Sequence, residues 1–463
     1  MTIAMYARAA LLAASASLCA CSMMPVYERP GAPVSPDWPY PAASEGTPAA
    51  QLSWQSFFGD VRLRQLIDTA LRNNRDLRVS ILNIEQARAQ YDIRRADRFP
   101  TIGAGISGSR MPNASGGVTS AYTAGLTFTA WEIDLFGRIG SLSEAALARY
   151  LATEEGRKAA QTSLIAAVAN SWLGLVADEE LIVLTRRTLA TREESLRLTR
   201  LRFDNGAASE LDFRQAQSLT ETARATLAQL VRQRAVDLNA LALLLGQPVP
   251  ADFQAAPDTA SIKLPDVPAG TPSDVLVRRP DVRQAEQELI AANADIGAAR
   301  AAFFPRITLT AGVGTASGEL SGLFKNGSWG WTAAPQLLQP IFDAGRNRAG
   351  LSSANVGRDI AVAQYEKAIQ SAFREVADAL AGRATFEDQL TAQRNVVDAE
   401  SVRFRLAELR YNNGVASYLD LLDAQRSLFS AQQLLVQTRL QQLQNQVLLY
   451  KALGGGWDQA AAQ

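Results

Sequence analysis

The stretch Arg202-Phe203-Asp204-Asn205-Gly206-Ala207-Ala208-Ser209-Glu210-Leu211-Asp212 returns later in the chain as Arg410-Tyr411-Asn412-Asn413-Gly414-Val415-Ala416-Ser417-Tyr418-Leu419-Asp420. The same offset of 208 (202 to 410) carries Gly137-Arg138 onto Gly345-Arg346 and Leu245-Gly246 onto Leu453-Gly454. An offset of 205 (99 to 304) carries Phe99-Pro100 with Ile102 onto Phe304-Pro305 with Ile307. Two copies of one structural unit make a tandem pair, not a long array. Asn205-Gly206 and Asn413-Gly414 are helix stops, because glycine supplies the left-handed residue that closes a helix. Ser209-x-x-Asp212 and Ser417-x-x-Asp420 follow as capping-box-like starts, in which side-chain oxygens satisfy exposed amides. Each copy therefore predicts a helical hairpin, with its tip at Asn205-Gly206 or at Asn413-Gly414-Val415.

The hairpin arms are long. No proline lies from Asn113 to Gln247 or from Ile341 to the end, and a helical pattern runs from about 138 to 203 and from 346 to 411. At the rise of an α-helix this is about 100 Å, several times the ordinary globular length. Val168, Leu175, Ile182, Leu189, Leu196 and Phe203 step by seven, and Val376, Leu390, Val397, Phe404 and Tyr411 repeat the row with Arg383 interrupting. Such a row predicts coiled-coil-like packing. The returning arms, about 208–245 and 416–453, are shorter. Separate helices at about 74–98 and 280–303 match the deficit, so two short helices would flank each long one. Prolines crowd 25–48 and 248–280, which read as linkers. The expected division is a signal peptide at 1–20, a tether at 21–50, repeat 1 at 51–247, an inter-repeat linker at 248–279 and repeat 2 at 280–463.

Four segments between the helices alternate strictly, the mark of a strand with two different faces. They are expected at about 101–111, 121–131, 305–315 and 329–340. In the second, Tyr122, Ala124, Leu126, Phe128 and Ala130 share one face, and Thr123, Gly125, Thr127 and Thr129 the other. Each is long enough to cross a bilayer as a tilted strand, with Tyr122, Trp131, Trp329 and Trp331 toward the ends where aromatic girdles sit. An open strand edge in lipid is prohibitively costly, and four strands cannot close a barrel. Closure must come from other copies. Three copies give twelve strands and six hairpins around a water-filled lumen, whereas two give eight strands and too narrow a bore.

Composition removes several functional classes. The 46 basic and 46 acidic residues cancel, so no net field favours nucleic acid. There is no histidine, hence no commonest general base or zinc ligand, and no cofactor is expected. The two cysteines, Cys19 and Cys21, follow Arg8 and a short apolar run from Ala9 to Leu18, the layout of a secretory signal too short to span a membrane. Leu18-Cys19-Ala20-Cys21 resembles the lipobox of bacterial lipoproteins. That resemblance implies cleavage before Cys21, acylation of Cys21 and, with Ser22 next, the outer membrane.

The chain as a whole resembles the TolC-like outer-membrane efflux proteins, in particular their lipidated multidrug branch. The resemblance rests on Pro25-Val26-Tyr27-Glu28-Arg29-Pro30, on the duplicated helix-strand-strand-helix unit, and on Tyr411-Asn412-Asn413-Gly414-Val415 with Leu421-Leu422-Asp423-Ala424-Gln425-Arg426-Ser427-Leu428. Lys451-Ala452-Leu453-Gly454-Gly455-Gly456-Trp457 completes it. It implies a mainly α fold with membrane β: a homotrimer with a twelve-stranded outer-membrane β-barrel, a periplasmic α-helical barrel and a mixed α/β equatorial belt. The belt would come from about 50–73, 246–279 and the C-terminus. Implied partners are a periplasmic adaptor at the tips (Asn205, Gly206, Asn413, Gly414, Val415) and an inner-membrane transporter, with the resistance-nodulation-division type placed first. The resemblance also carries a periplasmic gate onto Leu419, Asp423 and Arg426. Asp423 and Arg426 stand three apart, on one helix face near the tip, and a threefold axis would set three carboxylates in a ring. Asp420 is explained by capping. The first hairpin offers Gln215 and Ser218 at the equivalent positions.

The function expected is passive conduction of drugs or other small solutes. Competing readings are a hydrolase using Glu132 or Asp134, a non-conducting structural trimer, and an exit duct for type I protein secretion. No second carboxylate is placed opposite Asp134, which reads as helix-start chemistry. Gly312-Val313-Gly314 lacks a following lysine and fits a lumen face.

Overall fold

The computed structural model describes residues 22–40, 47–112, 116–250 and 258–457. The expected signal segment and Cys21 lie outside the described residues. The helices are α1 Trp54–Phe57, α2 Val61–Asn73, α3 Arg75–Ala96, α4 Arg138–Asp204, α5 Glu210–Leu245, α6 Pro272–Arg278, α7 Pro280–Ala301, α8 Arg346–Asn412 and α9 Tyr418–Ala452. The strands are β1 Ile102–Pro112, β2 Val118–Glu132, β3 Arg306–Ser317 and β4 Trp329–Leu338. Both long helices, α4 and α8, have 67 residues. The chain forms two compact units, each drawing on both repeats.

The unit made of Met1–Ala32, Leu82–Glu154 and Gln284–Lys367 contains one antiparallel sheet in the order β1-β2-β3-β4. Register fixes what each face carries. Leu126 pairs with Ala104 and Val313, and Val313 with Trp331, so apolar residues run unbroken across all four strands. On the other face Gly125 pairs with Gly105 and Gly314, and Gly314 with Gly330. Ile102, Ile106, Leu126, Trp329 and Trp331 are all exposed. A face this apolar and this uncovered suits lipid, and the small polar face suits water.

The strict alternation expected in the second strand fails at one point. Phe128 pairs with Ala311 but Trp131 with Leu309, a bulge that inserts one extra residue in β2. Ala130 takes a positive φ of 51° there, and its N–H donates to Thr310 Oγ1 at 3.0 Å. Trp131, not Ala130, therefore continues the apolar face beyond Phe128. Periodicity cannot reveal an inserted residue, because each side of the bulge alternates correctly by itself.

Beside the sheet in this unit, Ala145 and Ala148 of α4 meet Ala291 and Ala294 of α7. Chain 22–30 lies along α7. Arg29 Nε donates to Glu286 Oε1 at 2.6 Å and Nη2 to Oε2 at 2.9 Å. Asn293 Nδ2 donates to Pro25 O at 2.8 Å, and Gly297 leaves room for Met24, whose Cα would stand 2.8 Å from an added Cβ.

The second unit comprises Pro33–Ile81, Glu155–Arg283 and Ala368–Gln463. On α2, Leu63, Leu66, Ile67 and Ala70 form one buried face at helical spacing, with Asp60 capping the start through Arg62 N at 2.8 Å. They join Trp172 and Val176 of α4, Val376 and Leu380 of α8, and Val447 and Tyr450 of α9 in a single core. Phe57 stacks on Tyr450 at 4.0 Å. The helix α4 is long and apolar enough by composition to cross a membrane, but its apolar residues Val168, Trp172 and Leu175 are buried in this core. Arg383, which interrupts the second heptad row, is held by Asp266, with Nε 2.9 Å from Oδ1.

Gly125 and Gly314 face each other in the sheet, and a Cβ on Gly314 would overlap the Ala124 carbonyl oxygen and stand 2.6 Å from Gly125 Cα. Backbone cannot yield as a flexible side chain can. Gly314→Val is expected to abolish barrel assembly, measured as loss of heat-resistant oligomer on semi-native gels, while Gly330→Ala, with open space around its Cβ position, leaves assembly intact.

Candidate functional site: the hairpin tips

Each long helix stops in the same way. Gly206 has φ 72° and Gly414 φ 73°. Gly206 N–H donates to Phe203 O at 2.9 Å and Ala207 N–H to Arg202 O at 2.7 Å; Gly414 N–H to Tyr411 O at 3.0 Å and Val415 N–H to Arg410 O at 2.9 Å repeat the pattern. These paired bonds are a Schellman closure, which needs the left-handed residue. Asn205 and Asn413 each donate Nδ2 to the carbonyl four residues back, both at 2.7 Å. The returning helices start with reciprocal bonds. Asp212 N–H reaches Ser209 Oγ at 3.1 Å while Ser209 N–H reaches Asp212 Oδ2 at 3.2 Å, and Ser417 with Asp420 does the same at 3.2 Å in both directions. Each cap is worth about 1 kcal/mol, which leaves Asp420 tied to its own turn.

Hydroxyl groups present only in the second copy bind one hairpin to the other. Tyr411 stands where the first copy has Phe203, and its hydroxyl accepts from Arg202 Nη1 at 2.6 Å. Tyr418 stands where the first copy has Glu210; it is buried with Ala216, Leu421 and Leu422, and its hydroxyl lies 3.1 Å from Ser195 Oγ.

Leu419, Asp423 and Arg426 line one groove together with Gln215, Ser218 and Leu219 of α5, about 190 Å³ in volume. The structure thus joins the second hairpin's candidate residues to their first-hairpin equivalents. Leu419 is 58% exposed. Asp423 bridges two cations: Arg426 on its own helix, Nη2 to Oδ1 at 2.5 Å, and Arg403 on the outgoing arm. Arg403 also holds Glu400 at 3.1 Å. The hydrogen bond from Arg403 draws the Asp423 carboxyl below the usual carboxylate range, desolvation opposes this, and the charges of Arg403 and Arg426 add to the lowering. Spacing along one helix could not find Arg403. The signal was the hairpin itself, because Arg403 and Asp423 stand equally far from Asn413, the residue about which the arms fold back.

The carboxylates considered for hydrolysis are engaged otherwise. Glu132 receives Arg138 at 2.8 and 2.6 Å, and Arg306 lies 3.4 Å away. Asp134 accepts from Gly140 N–H at 2.6 Å in the first turn of α4, the helix-start role expected for an anion there. Among the described residues no group of acidic or sulfur ligands could hold a metal ion.

Further up the first hairpin, Asp178 of α4 is buried beside Asp237 of α5. Burial raises its pKa to about 7, and Asp237 pushes in the same direction by hydrogen bond and charge, with Arg234 opposing. Arg234 is occupied by Glu179 at 2.6 Å, and Asp237 Oδ1 accepts from Gln233 at 3.1 Å.

The chain matches the family model described as outer membrane efflux protein over residues 66–247 and 271–455, one segment per repeat. It is 49% identical over 455 residues to the antibiotic efflux pump outer membrane protein ArpC of Pseudomonas putida, covering 96% of this chain and 94% of that one. The toluene efflux pump outer membrane protein TtgC of Pseudomonas putida matches with the same identity and coverage. The crystal structure of the open state of the Neisseria gonorrhoeae MtrE outer membrane channel superposes with a TM-score of 0.88 at 43% identity, covering 95% of this chain and 99% of that one.

The Asp178 carboxyl titrates at about 7 when folded and near 4 when unfolded. Between those values the folded state holds the extra proton, so the contribution of Asp178 to stability is complete below about pH 4 and is lost as pH rises through 7. Asp178→Asn is expected to raise the melting temperature at pH 8 and leave it unchanged at pH 4, read by circular dichroism of the purified protein.

Proposed function

Because this chain belongs to the outer membrane efflux protein family and is an outer-membrane efflux channel, we propose that three copies close one barrel and act with a periplasmic adaptor and an inner-membrane pump. The observation that carries this is the sheet: one apolar and one small polar face, with β1 and β4 both ending in unpaired edges. A strand of 10 residues such as β4 leaves about five N–H and C=O pairs open along an edge. At several kcal/mol for each unsatisfied group in lipid, one such edge exceeds the total stability of a typical domain, about 5–15 kcal/mol. Pairing β4 with β1 of the next copy removes the deficit, and three copies give a bore wide enough for solutes.

Conduction is passive, and this chain supplies no catalytic step. Relatives with equal identity to this chain are named for an antibiotic and for toluene, which supports a duct that passes drugs and organic solvents alike and leaves choice to the pump. A transporter of the resistance-nodulation-division type is the proposed energy source. The adaptor would grip the tips at Asn205-Gly206 and Asn413-Gly414-Val415, where Val415 is 65% exposed.

The gate is assigned to Leu419, Asp423 and Arg426, with Arg403 added as the residue that holds Asp423 across the hairpin. Gating residues sit on one hairpin per chain, so the constriction has threefold order. The proposed organisation along the chain is a signal at 1–20, an acylated tether at 21–50, repeats at 51–247 and 280–463, and a linker at 248–279. Cys21 carries the lipid in this reading. The track of residues 22–30 along α7, with Arg29 at Glu286 and Arg300 reaching Met23 O at 3.4 Å, leads the chain toward the end of α7 from which β3 begins, the end of the sheet nearest the helices.

Asp423→Ala combined with Arg426→Ala is expected to raise single-channel conductance in planar bilayers several-fold; unchanged conductance would refute the gate. The depressed pKa of Asp423 means that its ion pairs persist above the unfolded value and are lost only as pH falls through the lowered folded one. Wild-type conductance should therefore stay level from pH 7 to 5 and rise only on acidification below the ordinary carboxylate range. Cys21→Ala should abolish incorporation of radiolabelled palmitate while heat-resistant oligomer still forms.

A further inference from the structure

Arg192 of α4 is one of two fully buried arginines among the described residues, at 4% exposure, and the other, Arg279 at 5%, is paired with Asp281 at 2.7 Å and Glu375 at 2.8 Å. Among the described residues Arg192 has no carboxylate partner. Its Nη1 donates to Leu219 O at 3.0 Å, its guanidinium lies over the Phe429 ring at 5.2 Å, and its Nε has no hydrogen-bond partner. A buried cation without a counter-ion costs several kcal/mol, and arginine does not escape the cost by losing its proton. Burial acts on its pKa downward with no neighbouring anion opposing it.

The side chain borders a cleft of about 190 Å³, open to solvent past the exposed Arg187 and Thr191, between α4, Phe404 of α8 and the α9 residues Gln425 to Gln432. Leu184, Phe404, Leu428 and Phe429 supply apolar wall, Arg187 is a second cation on the lining, and no aspartate or glutamate lines it. Gln425 Oε1 is also buried and unpaired. An amide turned by half a revolution presents its NH2 to the same space, and the two orientations are nearly indistinguishable by shape. The offset of 208 (192 to 400) puts Glu400 at the corresponding position of the second copy, so the second copy has no arginine there.

We propose that this cleft binds a small organic monoanion with an apolar body, of the arene carboxylate class. The carboxylate accepts from Arg192 Nε and from the turned Gln425 amide, and the ring packs against Phe404, Leu428 and Phe429. A bridging water could satisfy Nε and Gln425 Oε1 as hydrogen-bonding groups, but it leaves the charge uncompensated. The site adjoins the tip groove at Leu219, whose carbonyl accepts from Arg192 and which also lines the groove with Leu419 and Asp423. It stands apart from the conduction reading, since a channel needs no such ligand.

The test is titration of full-length protein in lipid nanodiscs with 4-fluorobenzoate, followed by fluorine NMR at pH 7. Saturable binding of one ligand per chain is expected. Arg192→Met should weaken it at least tenfold, and neutral 4-fluorobenzamide, of the same shape, should bind at least tenfold more weakly than the carboxylate. Thr188→Phe fills the cleft from its wall while keeping Arg192, and should abolish binding in protein that still assembles. Absence of saturable binding, equal binding of the amide and the carboxylate, or full binding in Thr188→Phe would overturn the proposal and leave a bridging water at Arg192 Nε. If Arg192→Met fails to assemble, Thr188→Phe and the amide comparison decide alone.

Discussion

The hydrogen-bonding groups of the backbone at a strand edge are the constraint from which the rest follows. Water can satisfy an open edge, but hydrocarbon cannot. A sheet with Leu126, Val313 and Trp331 across one face is built for hydrocarbon, so its first and last strands require partners of the same length and twist. Identical copies supply them without further sequence, because β4 of one chain meets β1 of the next in every case. The mutual fit of Gly125 and Gly314 serves the same end by letting backbones approach closely at the centre of each four-stranded segment.

The duplication that gives the chain its hairpins is broken at particular positions near the tips. Closures at Gly206 and Gly414 and caps at Ser209 and Ser417 are copied almost atom for atom, because turn geometry admits few solutions. Between them the copies diverge. Tyr411 and Tyr418 carry hydroxyls that bind hairpin to hairpin, Asp423 gathers Arg403 and Arg426, and Arg192 stands where the second copy has Glu400. Differences of this kind turn six similar hairpins of a trimer into three pairs, so the tip region has threefold order.

Much of the fold was legible because its determinants are local or periodic. The Asn-Gly stops, the serine starts, the absence of proline and the seven-residue rows each constrain the backbone where they occur, and the alternation of Thr and Gly with larger apolar residues fixed the two faces of the sheet. The bulge at Ala130 was not legible, since an inserted residue leaves alternation intact on either side and shifts only its phase. At the candidate site, Leu419, Asp423 and Arg426 could be grouped from helical spacing, whereas Arg403 required the antiparallel arm to be folded back about Asn413. Arg192 carried no signal in sequence, because a buried unpaired guanidinium and a solvated one are written with the same letter.

The most direct measurement is the native mass of the full-length protein extracted in mild detergent. Closure by siblings requires three chains in one particle, persisting at concentrations too low for chance association. A stable single chain, with its strands protected from hydrogen exchange and its edges therefore satisfied without a sibling, would contradict it.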